Sequence, residues 1–171
     1  FLLSANNDGA VNAALGFQVA DSNRPLFLEQ YLDLDIETTL MLLTQSEIRR
    51  NRIVEIGNLA SGRQRATQTL FLLLAQILYG AGYEWVVFTA NRAVLRWLHK
   101  LDISAIAIRE ADPDRLNDKD VNWGSYYDDR PVVLAAHIQH SVIRMNRHPL
   151  IAQLRQSYQN QIILFEKQLS A

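Results

Sequence analysis

Runs of apolar residues separated by short polar breaks predict that strands and helices alternate along this chain. Residues 1–4 and 10–19 flank an Asn-Asn-Asp-Gly segment that tolerates positive φ, which predicts an opening β-hairpin. After a polar break, the apolar spacing from Ile36 to Leu43 predicts a short helix. The β-branched run Ile53–Ile56, bounded by Gly57-Asn58, then predicts a buried strand.

The middle of the chain continues this alternation. Apolar residues recur every three or four positions from Ala66 to Leu78, which predicts a helix ended by a pair of glycines. Trp85–Thr89 has the composition of a strand, and Asn91 can cap the helix that follows it. Ile103–Ile108 is the next predicted strand. The order strand, helix, strand, helix, strand favours a mixed sheet with helices covering its faces.

The last third of the chain ends in an amphipathic pattern. Val132–Ile138 is the final predicted strand, and one apolar stripe then runs from Pro149 to Leu169. We therefore expect an α/β (α+β) protein, with one domain over residues 1–148 and an amphipathic helix over residues 149–171 that packs on the domain or on a partner. Because the chain starts without Met and inside a strand pattern, we also expect residues upstream of Phe1.

Composition removes several classes of function. The 171 residues include 17 basic and 18 acidic side chains and have a net charge of −1, so no basic field favours nucleic acid. The absence of cysteine excludes disulfides, thiolate metal sites and a cysteine nucleophile. The most apolar stretch, Leu70–Leu78, is far shorter than the roughly 20 residues of a membrane-spanning helix.

Three segments together resemble the thermostable hemolysin family. They are PLFLEQYL at residues 25–32, EIGNLAS at 55–61 and WGSYY at 123–127. The domain of that family is similar to the acyltransferase fold shared by GCN5-related N-acetyltransferases and acyl-homoserine-lactone synthases. The resemblance implies an acyl-CoA N-acyltransferase-like mixed sheet flanked by helices, with the N-terminal strand and helices of that fold lying before Phe1.

For an acyltransferase, the resemblance implies a thioester co-substrate, acyl-CoA or an acyl carrier protein, and a small amine or amino acid as acceptor. The similar enzymes open their sheet beside the strand that corresponds to Ile53–Ile56, so that backbone groups there pair with the pantetheine arm of the carrier. The following loop and helix N-terminus can offer N–H groups and basic side chains to phosphate. The candidate donor-binding residues are Gly57, Asn58, Leu59, Ser61, Arg63, Arg65 and Asn91.

The loop after this strand differs from that of the acetyltransferases. Residues 63–67 lack their two-glycine spacing, which is compatible with a larger acyl carrier. An acyl carrier protein engaged by basic side chains resembles the usage of the lactone synthases. The side chains predicted to engage it are Arg49, Arg50, Arg63 and Arg65.

Four polar side chains are candidates for proton transfer. Glu55 faces opposite to its strand neighbours and could be a general base with a pKa raised by burial, or a carboxylate paired with nearby arginines. Glu29 is a second candidate base, or a structural acceptor that ties its apolar segment to a neighbour. Tyr126 or Tyr127 could protonate a leaving thiolate, or close the end of the sheet as an aromatic plug. Trp123 is a candidate for the pocket wall.

Metal and serine-hydrolase chemistry receive little support. His137 and His140 are three residues apart, but no third ligand stands at a supporting spacing, so we predict no metal. Gly124-Ser125-Tyr126 lacks the Gly-x-Ser-x-Gly pattern of a nucleophile elbow.

Two other hypotheses stay open. In a membrane-active cytolysin, the helix over 149–169 would lie on a bilayer, although Glu166 beside Lys167 weakens its attraction to anionic lipid. The competing interpretation is a helix docked on its own sheet or on a second subunit. A non-catalytic ligand-binding module of the same fold is the other hypothesis. We expect a cytoplasmic enzyme or a secreted cytolysin, and a homo-oligomer is compatible with either.

Overall fold

The computed structural model of this chain contains a six-stranded mixed sheet covered by helices on both faces. It describes residues 1–5, 8, 10–61, 64–118 and 121–170, and among these it leaves undescribed the side chains of residues 58–61, 64 and 65. The strands are β1 (Leu2–Ala5), β2 (Val11–Val19), β3 (Ile53–Ser61), β4 (Trp85–Ala90), β5 (Ile106–Glu110) and β6 (Val132–His137). The helices are α1 (Ile36–Thr44), α2 (Gln64–Gly80), α3 (Arg92–Lys100), α4 (Ile138–Met145), α5 (Pro149–Ser157) and α6 (Gln159–Leu169).

The strands lie in the order β1-β2-β3-β4-β6-β5. β1, β2 and β3 are antiparallel neighbours, β3 and β4 run parallel, and β4, β6 and β5 are again antiparallel. The parallel pair needs a crossover, which α2 provides between β3 and β4. The mixed sheet predicted from the alternation of elements is therefore confirmed.

Each face of the sheet carries its own hydrophobic core. On one face, Val54 and Ile56 of β3 pack with buried residues of α2, α4, α5 and α6. On the other, Ile53 packs with α1 and with a 3₁₀ turn over Phe27–Tyr31. Because successive strand residues point to opposite faces, Glu55 lies on the same face as this turn.

Local sequence signals placed most elements correctly. The opening hairpin, α1, α2 and α3 occur where the periodicity predicts them, although the turn expected at residues 6–9 lies, except for Asp8, outside the described residues. Asn91 caps α3 as expected, since its Oδ1 accepts hydrogen bonds from the backbone N–H groups of Ala93 and Val94, both at 3.1 Å.

Several predicted boundaries were wrong. β3 continues past Gly57 to Ser61, because its pairing with β2 continues there. β5 begins at Ile106 rather than Ile103, which is buried in the core before the strand starts. Ile138 begins α4, which the sequence did not predict.

The single helix expected from Pro149 is divided at Tyr158. The division separates α5 from α6, and both pack on the same core through Ile151 and Ile162, which are each 7% exposed. Tyr158 belongs to the predicted stripe but is 38% exposed.

Candidate functional site

The sheet separates between β3 and β4. Their parallel pairing runs from Ile53↔Trp85 to Ile56↔Phe88, whereas β4 continues to Ala90 and β3 to Ser61. No further pair of these two strands occurs among the described residues. Backbone groups on the two facing edges beyond this point are therefore without a partner strand.

A β-bulge in β3 lies at the same point. Gly57 pairs with Gly16 of β2 and Ala60 pairs with Ala14, so β3 spans three residues where β2 spans two. The extra residue bends β3 and redirects its backbone groups. A Cβ built at Gly57 would meet no described heavy atom within 4 Å. Two residues after Glu55, the strand thus borders space that no described atom fills.

Glu55 is buried beside this opening. Its side-chain oxygens accept hydrogen bonds from the backbone N–H groups of Phe27 and Leu28, at 2.7 and 3.0 Å, and the residue is only 8% exposed. Burial raises the pKa of Glu55 to about 7, and the nearby charge of Glu29 acts in the same direction. A carboxyl group with this pKa exchanges a proton near neutral pH.

Glu29 holds the turn that supplies these two N–H groups. Its carboxylate accepts from the backbone N–H of Leu26 at 2.6 Å and of Ile36 at 2.9 Å. Arg50 adds Nη1 and Nη2 donors at 2.7 and 2.9 Å. Although burial alone raises the pKa of Glu29, the hydrogen bonds from Arg50, Ile36 and Leu26 lower it overall. This carboxylate is ionised and fully engaged, which favours a structural acceptor over a base.

Tyr126 lies on the face of the sheet that carries Glu55. The hydroxyl groups of Tyr126 and Thr89 are 2.6 Å apart and share a hydrogen bond. Thr89 follows Phe88, the last β4 residue paired with β3, so Tyr126 is anchored at the opening. Burial raises the pKa of Tyr126, and the bond to Thr89 opposes this rise. The phenol is therefore protonated at neutral pH and can donate a proton.

Tyr127 and Trp123 complete an aromatic cluster around the turn. The hydroxyl groups of Tyr127 and Tyr31 are 2.6 Å apart, and burial raises the pKa of Tyr31. The ring of Trp123 lies 5.8 Å from that of Phe27 and 6.1 Å from that of Tyr127, measured between centroids. Trp123 is 39% exposed, so it presents part of its ring to a ligand as well as packing.

The structure brings five predicted residues together and separates others. Glu55, Tyr126, Tyr127 and Trp123 lie around the Phe27–Tyr31 turn, which contains Glu29, and Gly57 lies at the opening. The side chain of Asn91 is engaged as the cap of α3. Arg63 lies outside the described residues, as do the side chains of Asn58, Leu59, Ser61 and Arg65.

The structure also adds residues that the sequence did not single out. Tyr31 and Thr89 hold the two tyrosine hydroxyls, and Gln18 is the cross-strand neighbour of Glu55. The Nε2 atom of Gln18 is buried and has no hydrogen-bond partner in the described part of the chain. Tyr31 lies inside the PLFLEQYL segment and Thr89 at a predicted strand end, so both carried a signal, whereas Gln18 carried none.

Exposed positive charge near the opening lies on α3. Arg92, Arg96 and Lys100 are exposed, form no ion pair within the described ranges, and share a helix that contains no acidic residue. In contrast, Arg49 pairs with Glu84, and Arg50 is engaged by Glu29.

The described residues contain neither a metal-binding cluster nor a membrane-spanning helix. No group of three or more His, Cys, Asp or Glu side chains in these ranges is placed to hold a metal ion. Among the helices described, none has the length and apolar character needed to cross a membrane.

Comparison with known proteins gives a family and a fold. Residues 1–142 match the model of a family described as Thermostable hemolysin. No curated protein matches the chain. TofI, solved in a ternary complex with an inhibitor and MTA, is 12% identical with a TM-score of 0.53, over 87% of this chain and 70% of TofI.

A second solved structure gives the same result. BjaI is a CoA-dependent acyl-homoserine lactone synthase solved with SAM and isopentyl-CoA. It is 9% identical with a TM-score of 0.53, over 85% of this chain and 61% of BjaI. At these identities the likeness establishes the fold alone, and it confirms the acyltransferase-like mixed sheet flanked by helices.

Proposed function

Since the chain belongs to the thermostable hemolysin family and has the fold of acyl-homoserine lactone synthases, we propose that it is an N-acyltransferase. It transfers an acyl group from a thioester donor to a small amine or amino acid. The observation that carries the proposal is the separation of β3 from β4 directly beside a buried carboxyl group with a pKa of about 7. Fold alone would not decide the chemistry.

The opening between β3 and β4 is the proposed site of the donor. A pantetheine arm is a chain of amide groups, and unpaired strand backbone is the natural partner for such a chain. Gly57 leaves room for it on the face of Glu55. BjaI was solved with isopentyl-CoA, which supports a thioester as the co-substrate here.

Proton transfers at the site follow from the two anchored groups. The amine nitrogen attacks the thioester carbonyl, so that a C–N bond forms and the C–S bond breaks. Glu55 takes the proton that the amine loses, and Tyr126 gives a proton to the departing thiolate. The products are an amide and a free thiol. In this mechanism Glu29 positions the turn over Glu55 and does not transfer a proton.

An acyl carrier protein is the donor that the surface charges favour. Arg49 and Arg50, which the sequence proposed as its contacts, are engaged in ion pairs. Arg92 and Lys100 are eight positions apart on α3, which corresponds to about 12 Å along the helix at 1.5 Å per residue. This distance is longer than one phosphate group, so the row of charges suits an acidic helix of a partner better than a single phosphate. Because α3 starts directly after β4, a carrier docked there would hold its arm at the opening.

Charge reversal tests this docking. We expect Arg92→Glu with Arg96→Glu to lower kcat/KM at least tenfold for an acyl group on carrier protein and to leave the same acyl group on CoA unaffected. Arg155→Glu, an exposed charge on α5, is the control. Equal losses with both donors would indicate that α3 contacts the phosphates of the donor, and no loss would exclude docking on this helix.

The activity itself is tested by release of free thiol. We expect release when the protein is supplied with CoA and carrier-protein thioesters of several chain lengths, together with amines and amino acids. It should depend on the amine and be lost in Glu55→Gln. Absence of amine-dependent release with every donor would contradict the proposed function.

Membrane lysis is the second candidate function. The family description and three consecutive exposed apolar residues of α1 favour it: Met41, Leu42 and Leu43 are 43%, 67% and 50% exposed. The C-terminal stripe that the sequence offered for this role instead packs on the domain core through Ile151 and Ile162. Dye release from liposomes that Leu42→Ser abolishes, with thiol release unchanged, would support lysis through α1.

A further inference from the structure

A cavity lined by histidine, arginine and serine residues lies at the end of β4 opposite to the β3–β4 opening. It has a volume of about 290 Å³ and is lined by His137, His140, Arg144, Arg147, Ser104 and Ser141. His137 pairs with Trp85, the first residue of β4, whereas the opening begins after Phe88. The cavity is therefore distinct from the proposed acyl-transfer site.

The two imidazole rings in this cavity form a stacked pair. Their centroids are 4.3 Å apart with an interplanar angle of 26°, and Trp85 contacts the ring of His137 at 5.1 Å. The Nδ1 atom of His137 is buried and has no hydrogen-bond partner among the described residues. Burial, followed by the neighbouring His140, lowers the pKa of His137. A buried nitrogen without a partner is uncommon in native proteins.

The charged side chains that line the cavity, Arg144 and Arg147, are both basic. No carboxylate lines it, and Arg147 is exposed and forms no ion pair within the described part of the chain. Arg144 is bound to Asp102 at 2.9 Å. Glu84 acts electrostatically on His137 but does not line the cavity. Although the chain as a whole has a net charge of −1, this cavity therefore concentrates nitrogen donors and positive charge.

We propose that this cavity binds a phosphate group, either free or as a phosphate monoester. Arg147 and Arg144 supply charged N–H donors, and the hydroxyl group of Ser104 and the ring of His140 add further hydrogen bonds. The volume leaves room for an organic group beside the phosphate. Ile143, which is 49% exposed, also lines the cavity and offers an apolar contact for that group.

Binding should be coupled to proton uptake. A bound phosphate favours the charged form of the neighbouring His137 imidazole, so it raises the pKa of His137. The ionisable groups near the pair are Arg144 and Arg147, which line the cavity, Glu84, which acts electrostatically on His137, and Asp102, which is bound to Arg144.

Inorganic phosphate and glycerol phosphate are the probes. We expect NMR titration at constant ionic strength to move the imidazole resonances of His137 and His140 saturably, and to raise the pKa of His137. Arg147→Gln should weaken phosphate binding about tenfold. Arg155→Gln removes an equal charge from α5 outside the cavity and should leave binding unchanged.

Two outcomes would overturn the proposal. One is the absence of saturable shifts with either probe, and the other is an equal effect of the two substitutions, which would indicate screening alone. Tighter binding of glycerol phosphate than of inorganic phosphate would identify a monoester ligand, and the reverse would identify free phosphate. Because both substituted arginines are exposed, the variants should fold, and protection against thermal unfolding by phosphate gives a second measurement.

Discussion

At the scale of single residues, the site contains two carboxyl groups whose environments push their pKa values apart. Glu55 is buried against backbone donors alone, and its pKa rises to about 7. Glu29 receives two donors of Arg50 in addition to backbone N–H groups, and its pKa falls. Such a divergence separates a group that exchanges protons from one that stays charged. The divergence supports the proposal that Glu55 transfers the proton and that Glu29 positions the turn.

Glu55→Gln should abolish the acid limb of the pH profile together with most of the activity. In the parent protein, kcat/KM should rise with pH through about 7 as Glu55 loses its proton. Removal of a general base lowers the rate by about 10²- to 10⁴-fold. Thiol release measured between pH 5 and 9 checks this. An unchanged limb in the variant would assign it to another group.

Glu29→Gln is the informative contrast. Loss of the Glu29 charge removes one cause of the raised pKa of Glu55, so the acid limb should move to lower pH rather than disappear.

The stability of the protein against unfolding provides a second test of the Glu55 pKa. Because the folded-state pKa of Glu55 lies above its unfolded value, its contribution to stability is lost as the pH rises through about 7, and Glu55→Gln should lack this loss.

Tyr126→Phe should make the rate depend on the leaving group. Without a phenolic proton, an alkyl thiolate departs unaided, and we expect a loss of about 10²-fold with alkyl thioesters. Aryl thioesters, whose thiols are much more acidic, should be turned over almost as fast as by the parent protein. Tyr127→Phe is the matched control, because the Tyr127 hydroxyl group bonds to Tyr31. Equal losses with both classes of donor would argue against proton transfer by Tyr126.

At the scale of elements, the decisive feature is the end of β3. The sequence predicted a strand at Ile53–Ile56 from its β-branched residues, but it treated Gly57-Asn58 as a boundary. The strand continues because β2, some 40 positions earlier, supplies partners up to Ser61. Local composition does not encode such a partner, and the bulge that accompanies it is equally non-local.

The same distinction explains the side chains. Asn91 was recognised as a cap because capping is local. Arg50 was predicted to be a docking residue because it is basic. Local sequence did not reveal its pairing with Glu29, which lies 21 positions away and is brought to it by tertiary structure. Glu55 and Glu29 were found through the local pattern of polar and apolar residues, and Tyr126 through the resemblance, whereas Thr89 and Gln18 acquire their places only through the register of the sheet.

Gly57→Val tests the opening directly. Its side chain would enter space in which no described atom lies within 4 Å, and valine suits a strand, so stability should change by less than about 0.5 kcal/mol. The same side chain would obstruct the donor arm, and KM for the thioester should rise at least tenfold. Gly82→Ala is the contrast, because a φ of +83° makes it destabilising by about 1 kcal/mol without effect on KM. Unchanged KM in Gly57→Val would place the donor elsewhere.

At the scale of the whole molecule, the two faces of the sheet are covered by different elements. The face that carries Glu55 also carries the Phe27–Tyr31 turn and the tyrosines. The opposite face is occupied by α2 and by the C-terminal helices, whose apolar residues complete its core. A change confined to α6 should therefore affect packing or membrane activity without altering thioester turnover.

A disulfide between α2 and α6 tests whether the C-terminal helix takes part in membrane lysis. A Cβ built at Gly80 would lie 2.7 Å from Cγ of Glu166, so cysteines at both positions come within disulfide range, and the chain contains no other cysteine. We expect oxidised Gly80→Cys/Glu166→Cys to gain up to about 4 kcal/mol in stability and to keep its rate of thiol release. Because the apolar stripe is already docked, neither the oxidised nor the reduced form should release dye from liposomes. Release by the reduced form that oxidation prevents would instead show that α6 must leave the domain to lyse a membrane.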